Sequence, residues 1–380
     1  MKKQFLCAWS RDQRVNIWHL PGLTDIKQDF KVLLLKTIDH FHSVDVRSID
    51  FNSSIMVIAD ENSDIFVWNM KAFVSEDQVK LDTSSCLMST LTGHIKAVHS
   101  LQLTATCMLS CDEGGVLFLR DYFDVITQNA PARRLLKCED GVNTMICDTA
   151  RIYCGLLNKS IVIFDRHTME KVQVLFGHTD HIWSLDINEN STLLASGCWG
   201  SSVKLWMREK EEKLFKLKET FSEPGLGEIC SVKILKSRLY ISTHSGKILV
   251  VDIKETLIPI QSLSYEEDST LGPIYSMLLD KEKNELITSH LNGGCSVLQV
   301  LKVNPITGEL IPLSENLPVA SDNPDDSIVW NMCKVEWKSR NLLILCRNNE
   351  FLDIYDLNKF QNVMRIRHPV KVMTAQFKKG

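Results

Sequence analysis

Apolar and polar residues alternate with period two in short runs along this chain, and the runs come in sets separated by turn residues. The clearest set spans residues 177 to 206. Ile182, Leu185 and Ile187 are followed by Leu193-Leu194-Ala195-Ser196-Gly197, then by Val203, Leu205 and Trp206. A period of two predicts strands, because successive side chains of a strand point to opposite faces. Breaks such as Asp12-Gln13-Arg14, Asn62-Ser63-Asp64, Glu113-Gly114-Gly115, Ser245-Gly246-Lys247 and Asn348-Asn349-Glu350 carry residues that favour tight turns. No stretch sustains a helical period, so each set reads as four short strands.

The sets repeat. A branched or apolar residue opening the first strand falls at Val46, Val98, Val142, Ile182, Ile229, Ile274, Trp330 and Val372. An aromatic or apolar slot closing the third strand falls at Trp18, Trp68, Arg120, Phe164, Trp206, Val251, Leu298 and Tyr355. Self-similarity at this spacing marks a repeat architecture. The first unit has no inner strand, and the last has little else: His368, Val372, Ala375 and Phe377 fit an inner strand. The two fragments complement each other. The expectation is eight units of four antiparallel strands, the C-terminal strand (about 370–377) pairing with N-terminal strands (about 3–18). That pairing removes two unpaired edges. Seven units with a spare strand, or a piece of a longer protein, are the alternatives.

Particular residues carry a family likeness. Gly93-His94 and Gly177-His178, Ser196-Gly197, and the endings Ile17-Trp18, Val67-Trp68-Asn69, Phe164-Asp165, Leu205-Trp206, Val251-Asp252 and Tyr355-Asp356 resemble the WD40 repeat family over nearly the whole chain. The resemblance implies an all-β, WD40-type β-propeller, one four-stranded sheet per blade around a central channel. One domain over residues 1–380 follows, with insertions near 21–31, 71–86 and 302–328.

Composition narrows the function. Forty-three basic against 47 acidic residues give a net charge of −4, which supplies no general pull toward nucleic acid or an anionic membrane. Twelve cysteines include no Cys-x-x-Cys, and Cys107, Cys147, Cys230, Cys333 and Cys346 lie among Leu, Ile and Val, as expected of thiols in a reducing compartment, cytoplasmic or nuclear. The apolar patch 5–9 is too short for a signal peptide, and the run within 31–38 is too short to cross a bilayer.

By resemblance, the repeat holds a hydrogen-bond chain of His, turn Asp, Ser or Thr, and Trp. Here it is incomplete. His178, Ser196 and Trp206 are present in one unit, with Gly200 in the Asp slot. His94 and Ser110 stand in another, where Gly114 and Arg120 replace Asp and Trp. His42 and Trp68 belong to a third. His368 would join Asp12 and Trp18 from the opposite terminus, with Ala8 in the Ser/Thr slot. Residue types that recur once per unit suit a structural device rather than a Ser/His/Asp triad, which needs one accessible constellation. Neither His40-x-His42 nor His178-x-x-His181 has a third metal ligand at hand, and no phosphate loop is present. No catalytic residue, metal or cofactor is expected.

The resemblance also implies that two slots per repeat point to the narrower face of the propeller, where peptides or proteins bind. Among their occupants are Arg47, His99, Asn143, Trp183, Cys230 and Tyr275 in the first slot, and Arg11, Leu157, Trp199 and His244 in the second. Trp, Tyr and Arg are enriched at binding hot spots. Trp183 and Trp199 either face a partner or pack on each other or into the channel wall. Arg11 and Arg47 suit a carboxylate or phosphate. The expected function is a non-catalytic protein–protein interaction scaffold within a larger complex. The alternative is a substrate-recognition subunit of a ubiquitin ligase, similar to F-box/WD proteins but with no helical F-box ahead of the strand signals. A membrane partner is not expected, and the charge balance disfavours nucleic acid.

Overall fold

A strand that is apolar at nearly every position must be covered on both faces. Ile55–Asp60, Cys107–Asp112 and Arg151–Leu156 are buried at all six positions. The computed structural model describes residues 4–10, 15–20, 33–38, 46–52, 54–70, 86–104, 106–127, 134–209, 212–264, 273–274, 277–292, 295–313, 317–318, 329–337, 340–347, 351–357, 361–367 and 372–379. Among them the strands form eight sheets, seven of four strands and one of five. Sequence-adjacent strands pair antiparallel. The residues divide into two compact units, Met1–Gly141 with Asn331–Gly380, and Val142–Trp330.

In the first unit, one sheet runs Leu33–Ile38, Val15–Leu20, Gln4–Ser10, Val372–Lys379. The C-terminal strand is thus the inner strand of the N-terminal sheet, with Gln4 opposite Lys379 and Ala8 opposite Ala375. It ends two residues beyond the expected 377. Two further sheets are Val46–Phe51, Ile55–Asp60, Ile65–Asn69, Leu87–Leu91 and Val98–Leu103, Cys107–Asp112, Val116–Asp121, Arg134–Lys137. A fourth is Val329–Trp337, Arg340–Arg347, Phe351–Asp356, Gln361–Arg367, whose first strand begins at the junction with the other unit. One helix, Tyr122–Thr127, departs from the all-strand expectation. Six residues are too few to show a helical period. It is held through Val125, which is fully buried and whose carbonyl accepts the Ser89 hydroxyl at 3.1 Å.

The second unit holds Val142–Cys147, Arg151–Leu156, Ile161–Asp165, Lys171–Leu175; then Ile182–Ile187, Leu193–Cys198, Ser202–Met207, Lys216–Phe221; then Ile229–Leu235, Arg238–Thr243, Lys247–Asp252, Ile258–Ser264. Its last sheet is Met277–Asp280, Glu285–Asn292, Cys295–Val303 and Leu310–Pro312, with Leu317–Pro318 also on Cys295–Val303. Part of the insertion expected near 302–328 therefore serves as outer strand. The insertions near 21–31 and 71–86 lie outside the described residues, apart from Cys86.

The core lies between sheets, and the period of two sorts residues into it. Leu194 packs with Tyr153, Ile163 and Ile182 toward the preceding sheet, while its neighbour Ala195 packs with Ile229, Val232 and Leu239 toward the next. Ile55, Val57 and Ala59 join Val98 and Met108, whereas Met56 and Ile58 join Val15, Ile17 and Trp68. Close approach is met by small residues. A Cβ at Gly197 would stand 2.4 Å from Ile229 Cγ2, and one at Gly155 would stand 2.6 Å from Ile182 Cγ2. Each of these isoleucines opens the next inner strand.

That opening is irregular in the same way five times. Register shifts between Val46 and Ser48, Val98 and Ser100, Val142 and Thr144, Ile182 and Ser184, and Ile229 and Ser231. One residue is left without a cross-strand partner in each, which is a β-bulge, and a bulge re-aims its side chain. The bulged residues are Arg47, His99, Asn143, Trp183 and Cys230, which are the first-slot positions of the repeat.

Candidate protein-interaction face

Two histidine networks are described. In the sheet that begins at Val98, His94 Nε2 lies 2.8 Å from Ser110 Oγ and Nδ1 lies 3.0 Å from Asp112 Oδ2. Arg120 stands in the Trp slot, its guanidinium over the Phe118 ring and its Nη2 donating to the Thr92 carbonyl at 2.9 Å. The sequence placed Gly114 in the acidic slot of this unit, and the structure corrects that. Asp112, two residues earlier, is the acid, and its Oδ1 also accepts the Gly114 and Val116 amides at 2.9 and 2.8 Å. The carboxylate sits at the strand end because the turn behind it is tight. Gly115 has a φ of 78°, and a Cβ there would meet the Asp140 carbonyl.

In the sheet that begins at Ile182, Trp206 Nε1 donates to Ser196 Oγ at 2.8 Å, and His178 Nε2 lies 2.6 Å from the same hydroxyl. Cys198, opposite Ile182, takes the register position that Asp112 takes opposite Val98. Among the described residues no carboxylate reaches His178, and its buried Nδ1 has no hydrogen-bond partner. Protonation would place a charge there that nothing accepts. Burial, aided by Lys204, accordingly pushes this imidazole down to about 3. Burial also lowers His94, but Asp112 opposes the shift. Trp68 is fully buried beside Ile49, Phe51 and Met56. His42, Asp12 and His368 lie outside the described residues, as does the side chain of Trp18.

The second-slot residues follow the second strand of each sheet, level with the bulges. In the second unit this edge carries a stack of rings. Trp183 and Trp199 lie 5.0 Å apart, centroid to centroid, inclined at 48°. Trp199 meets His244, from the next sheet, edge-on at 5.6 Å. The sequence left facing a partner and packing as alternatives for the two tryptophans; they pack on each other, and Trp183 still exposes 39% of its surface. Trp199 is half-buried between Trp183 and His244.

The backbone repeats beneath the rings. Trp199 N donates to the His181 carbonyl at 3.1 Å, and His244 N to the Glu228 carbonyl at 2.8 Å. Exposed Leu157 continues the edge, its carbonyl 3.3 Å from His181 Nδ1. A bulge does not by itself expose its residue. Asn143 donates to the Ile182 carbonyl at 2.9 Å, and Cys230 is buried. Arg11 and Tyr275 lie outside the described residues, and so do the side chains of Arg47 and His99.

One signal in the sequence went unread. Val46-x-Ser48-x-Asp50 and Ile182-x-Ser184-x-Asp186 share a spacing. Ser48 and Asp50 accept the Leu101 and Leu103 amides at 3.2 and 2.6 Å. Ser184 and Asp186 accept those of Val232 and Ile234 at 3.1 and 2.6 Å. Each pair caps open amides of the next inner strand, a need that buried backbone must meet. Burial raises Asp186 above the usual carboxylate range, against the pull of Lys233. Among the described residues no group of three or more His, Cys, Asp or Glu is placed to hold a metal ion.

Comparison with known proteins agrees with this geometry. Residues 169–207 match the family model WD40, described as WD domain, G-beta repeat. The chain is 36% identical over 95 residues to the U4/U6 small nuclear ribonucleoprotein PRP4 of Saccharomyces cerevisiae, which covers 25% of this chain and 18% of that protein. It is 30% identical over 102 residues to eukaryotic translation initiation factor 3 subunit I of Neurospora crassa, covering 26% of this chain and 28% of that protein. The match to subunit I of Schizosaccharomyces pombe is 36% over 59 residues, 16% and 18% of the two chains. The chain therefore spans less than a third of each relative it matches. The crystal structure of the computationally designed Ika8 protein superposes with a TM-score of 0.63 at 16% identity, over 90% of this chain and 89% of that one. With its repeated four-strand sheets, its matched repeat at 169–207 and this superposition, the chain carries a WD repeat at 169–207 within an all-β fold of the WD40 β-propeller type.

Proposed function

We propose that this chain is a non-catalytic protein–protein interaction scaffold, a subunit of a larger assembly, and that it takes a peptide or protein partner on the edge carrying Trp183, Trp199 and His244. The observation that carries the reading is the exposure of Trp183. A tryptophan on a bulge at 39% exposure gains little for the fold, while a large, rigid amphipathic ring is what binding hot spots use. The names of the relatives support membership of an assembly: one is a ribonucleoprotein component and two are a numbered subunit. WD-repeat propellers are typically non-catalytic. No reaction is proposed, since the His–Ser pairs at His94 and His178 are buried and recur between sheets.

The same reading places the protein in a reducing compartment, cytoplasm or nucleus. Support comes from Cys111, Cys138, Cys198 and Cys230, which are unbridged and buried. Among the described residues no helix is long and apolar enough to cross a membrane.

Quantitative affinity purification of the wild type beside Trp183→Ala tests the function, with circular dichroism as folding control. The expected result is selective loss of a defined set of proteins from a variant that melts close to the wild type. An unchanged partner set with the ring removed would overturn the assignment. A ubiquitin-ligase adaptor among proteins retained by both would favour the substrate-receptor role.

A further inference from the structure

Two carboxylates stand near the ring stack, each beside an imidazole. Asp180 Oδ1 lies 3.2 Å from His181 Nδ1, and Glu228 Oε2 lies 4.0 Å from His244 Nδ1. All four side chains are between a third and a half exposed. Among the described residues neither acid has a lysine or arginine in ion-pair reach. Lys247, at the next turn, is bonded to the Gly225 carbonyl at 3.3 Å. Asp180 lies close to Gly200, directly after Trp199: a Cβ on Gly200 would come within 3.1 Å of the Asp180 Cβ. The Glu228 backbone lies beside the stack, its carbonyl accepting the amide of His244, the ring against Trp199.

The chemistry of such a place is selective. Aromatic faces attract cations through their quadrupole, and two carboxylates beside them repel anions. A planar guanidinium meets both features, stacking on an indole while its N–H fork engages a carboxylate; an ammonium offers only a point charge. We propose that the Trp183–Trp199–His244 stack, with Asp180 and Glu228, receives an arginine side chain of the partner protein. This rests on the reading that the edge is the partner-binding one, and it names the chemistry recognised there.

The test is titration of the full chain, labelled with ¹⁵N at tryptophan indoles, with acetyl-Ala-Arg-Ala-amide. Matched peptides carry citrulline, lysine or phosphoserine at the centre. Trp183→Phe and Trp199→Phe assign the two resonances. The arginine peptide is expected to move both at millimolar concentration and to bind about fivefold more tightly than its neutral citrulline twin. In Asp180→Asn/Glu228→Gln that advantage should disappear, with the indole shifts of the free protein unchanged. No movement with the arginine peptide, or equal binding of the citrulline or phosphoserine peptide, overturns the proposal. Equal or tighter binding of the lysine peptide overturns the choice of a guanidinium.

Affinity purification separates the two levels. Partners lost from Trp183→Ala but kept by Asp180→Asn/Glu228→Gln sink the arginine and leave the face intact. Partners kept by Trp183→Ala sink the face itself.

Discussion

His94 and His178 occupy the same point of two repeats, yet only His94 faces a carboxylate. The consequence is a stability that depends on pH. An unfolded His178 would bind a proton near 6.5, while the folded one resists until about 3. The unfolded state therefore holds more protons between those values, and stability falls as pH drops below 6.5. The slope for one group is about 1.4 kcal/mol per unit. Urea midpoints at pH 7 and 5 should show the wild type losing about 2 kcal/mol more than His178→Asn, and parallel losses would contradict it. At the ring stack, Trp199→Ala removes contacts to both Trp183 and His244. It should cost about 2 kcal/mol in chemical denaturation, against under about 1 for Trp183→Ala. The histidines, serines and tryptophans of this site were legible because they recur at fixed spacing. Asp112 was not, because it stands two residues ahead of the slot where the repeat seeks its acid.

The elements owe their stacking to two devices that a strand pattern does not display. One is the small residue facing the next inner strand. Gly197→Ala would drive a methyl into Ile229 Cγ2 and Val232 Cγ1, and overpacking of this kind costs about 1–3 kcal/mol. Thermal and urea denaturation measure the loss, and a double-mutant cycle with Ile229→Ala identifies its source. The cost of Gly197→Ala should shrink when Ile229 is already truncated; an equal cost in both backgrounds would exclude the contact. The other device is the bulge followed by Ser and then Asp, which directs side-chain acceptors to amides some fifty residues on, as from Asp186 to Ile234. Ile182, Leu185 and Ile187 break strict alternation by one step, and that step is the bulge itself. It was visible in the sequence only as an irregularity.

For the whole molecule, the informative pairing is that of the two ends. Gln4–Ser10 runs antiparallel between Val15–Leu20 and Val372–Lys379, so the N-terminal sheet depends on residues from the other end of the chain. Ala8 and Ala375 are register partners. Directly opposed residues in an antiparallel pair stand about 4.5–5.5 Å apart at Cβ, near the reach of a disulfide. Ala8→Cys/Ala375→Cys should therefore cross-link on oxidation, giving a mobility shift on non-reducing gels that thiol reduction reverses. Cysteines at Phe5 and Ala375, out of register, should not. Failure of the first pair to close would refute the strand pairing.

Taken alone, the amino-acid sequence determined the strands, the repeat, its likeness to WD-repeat propellers and the complementarity of its two ends. All of these follow from local alternation and from residue identity at fixed intervals, which survive without coordinates. The tertiary structure decided which acid serves His94, why His178 stays neutral, how far Trp183 emerges beside Trp199, and which carboxylates border the stack. Those outcomes depend on bulges that shift register by one residue and on contacts between neighbouring sheets. A one-residue slip turns every later side chain to the opposite face, so spacing alone could not assign them.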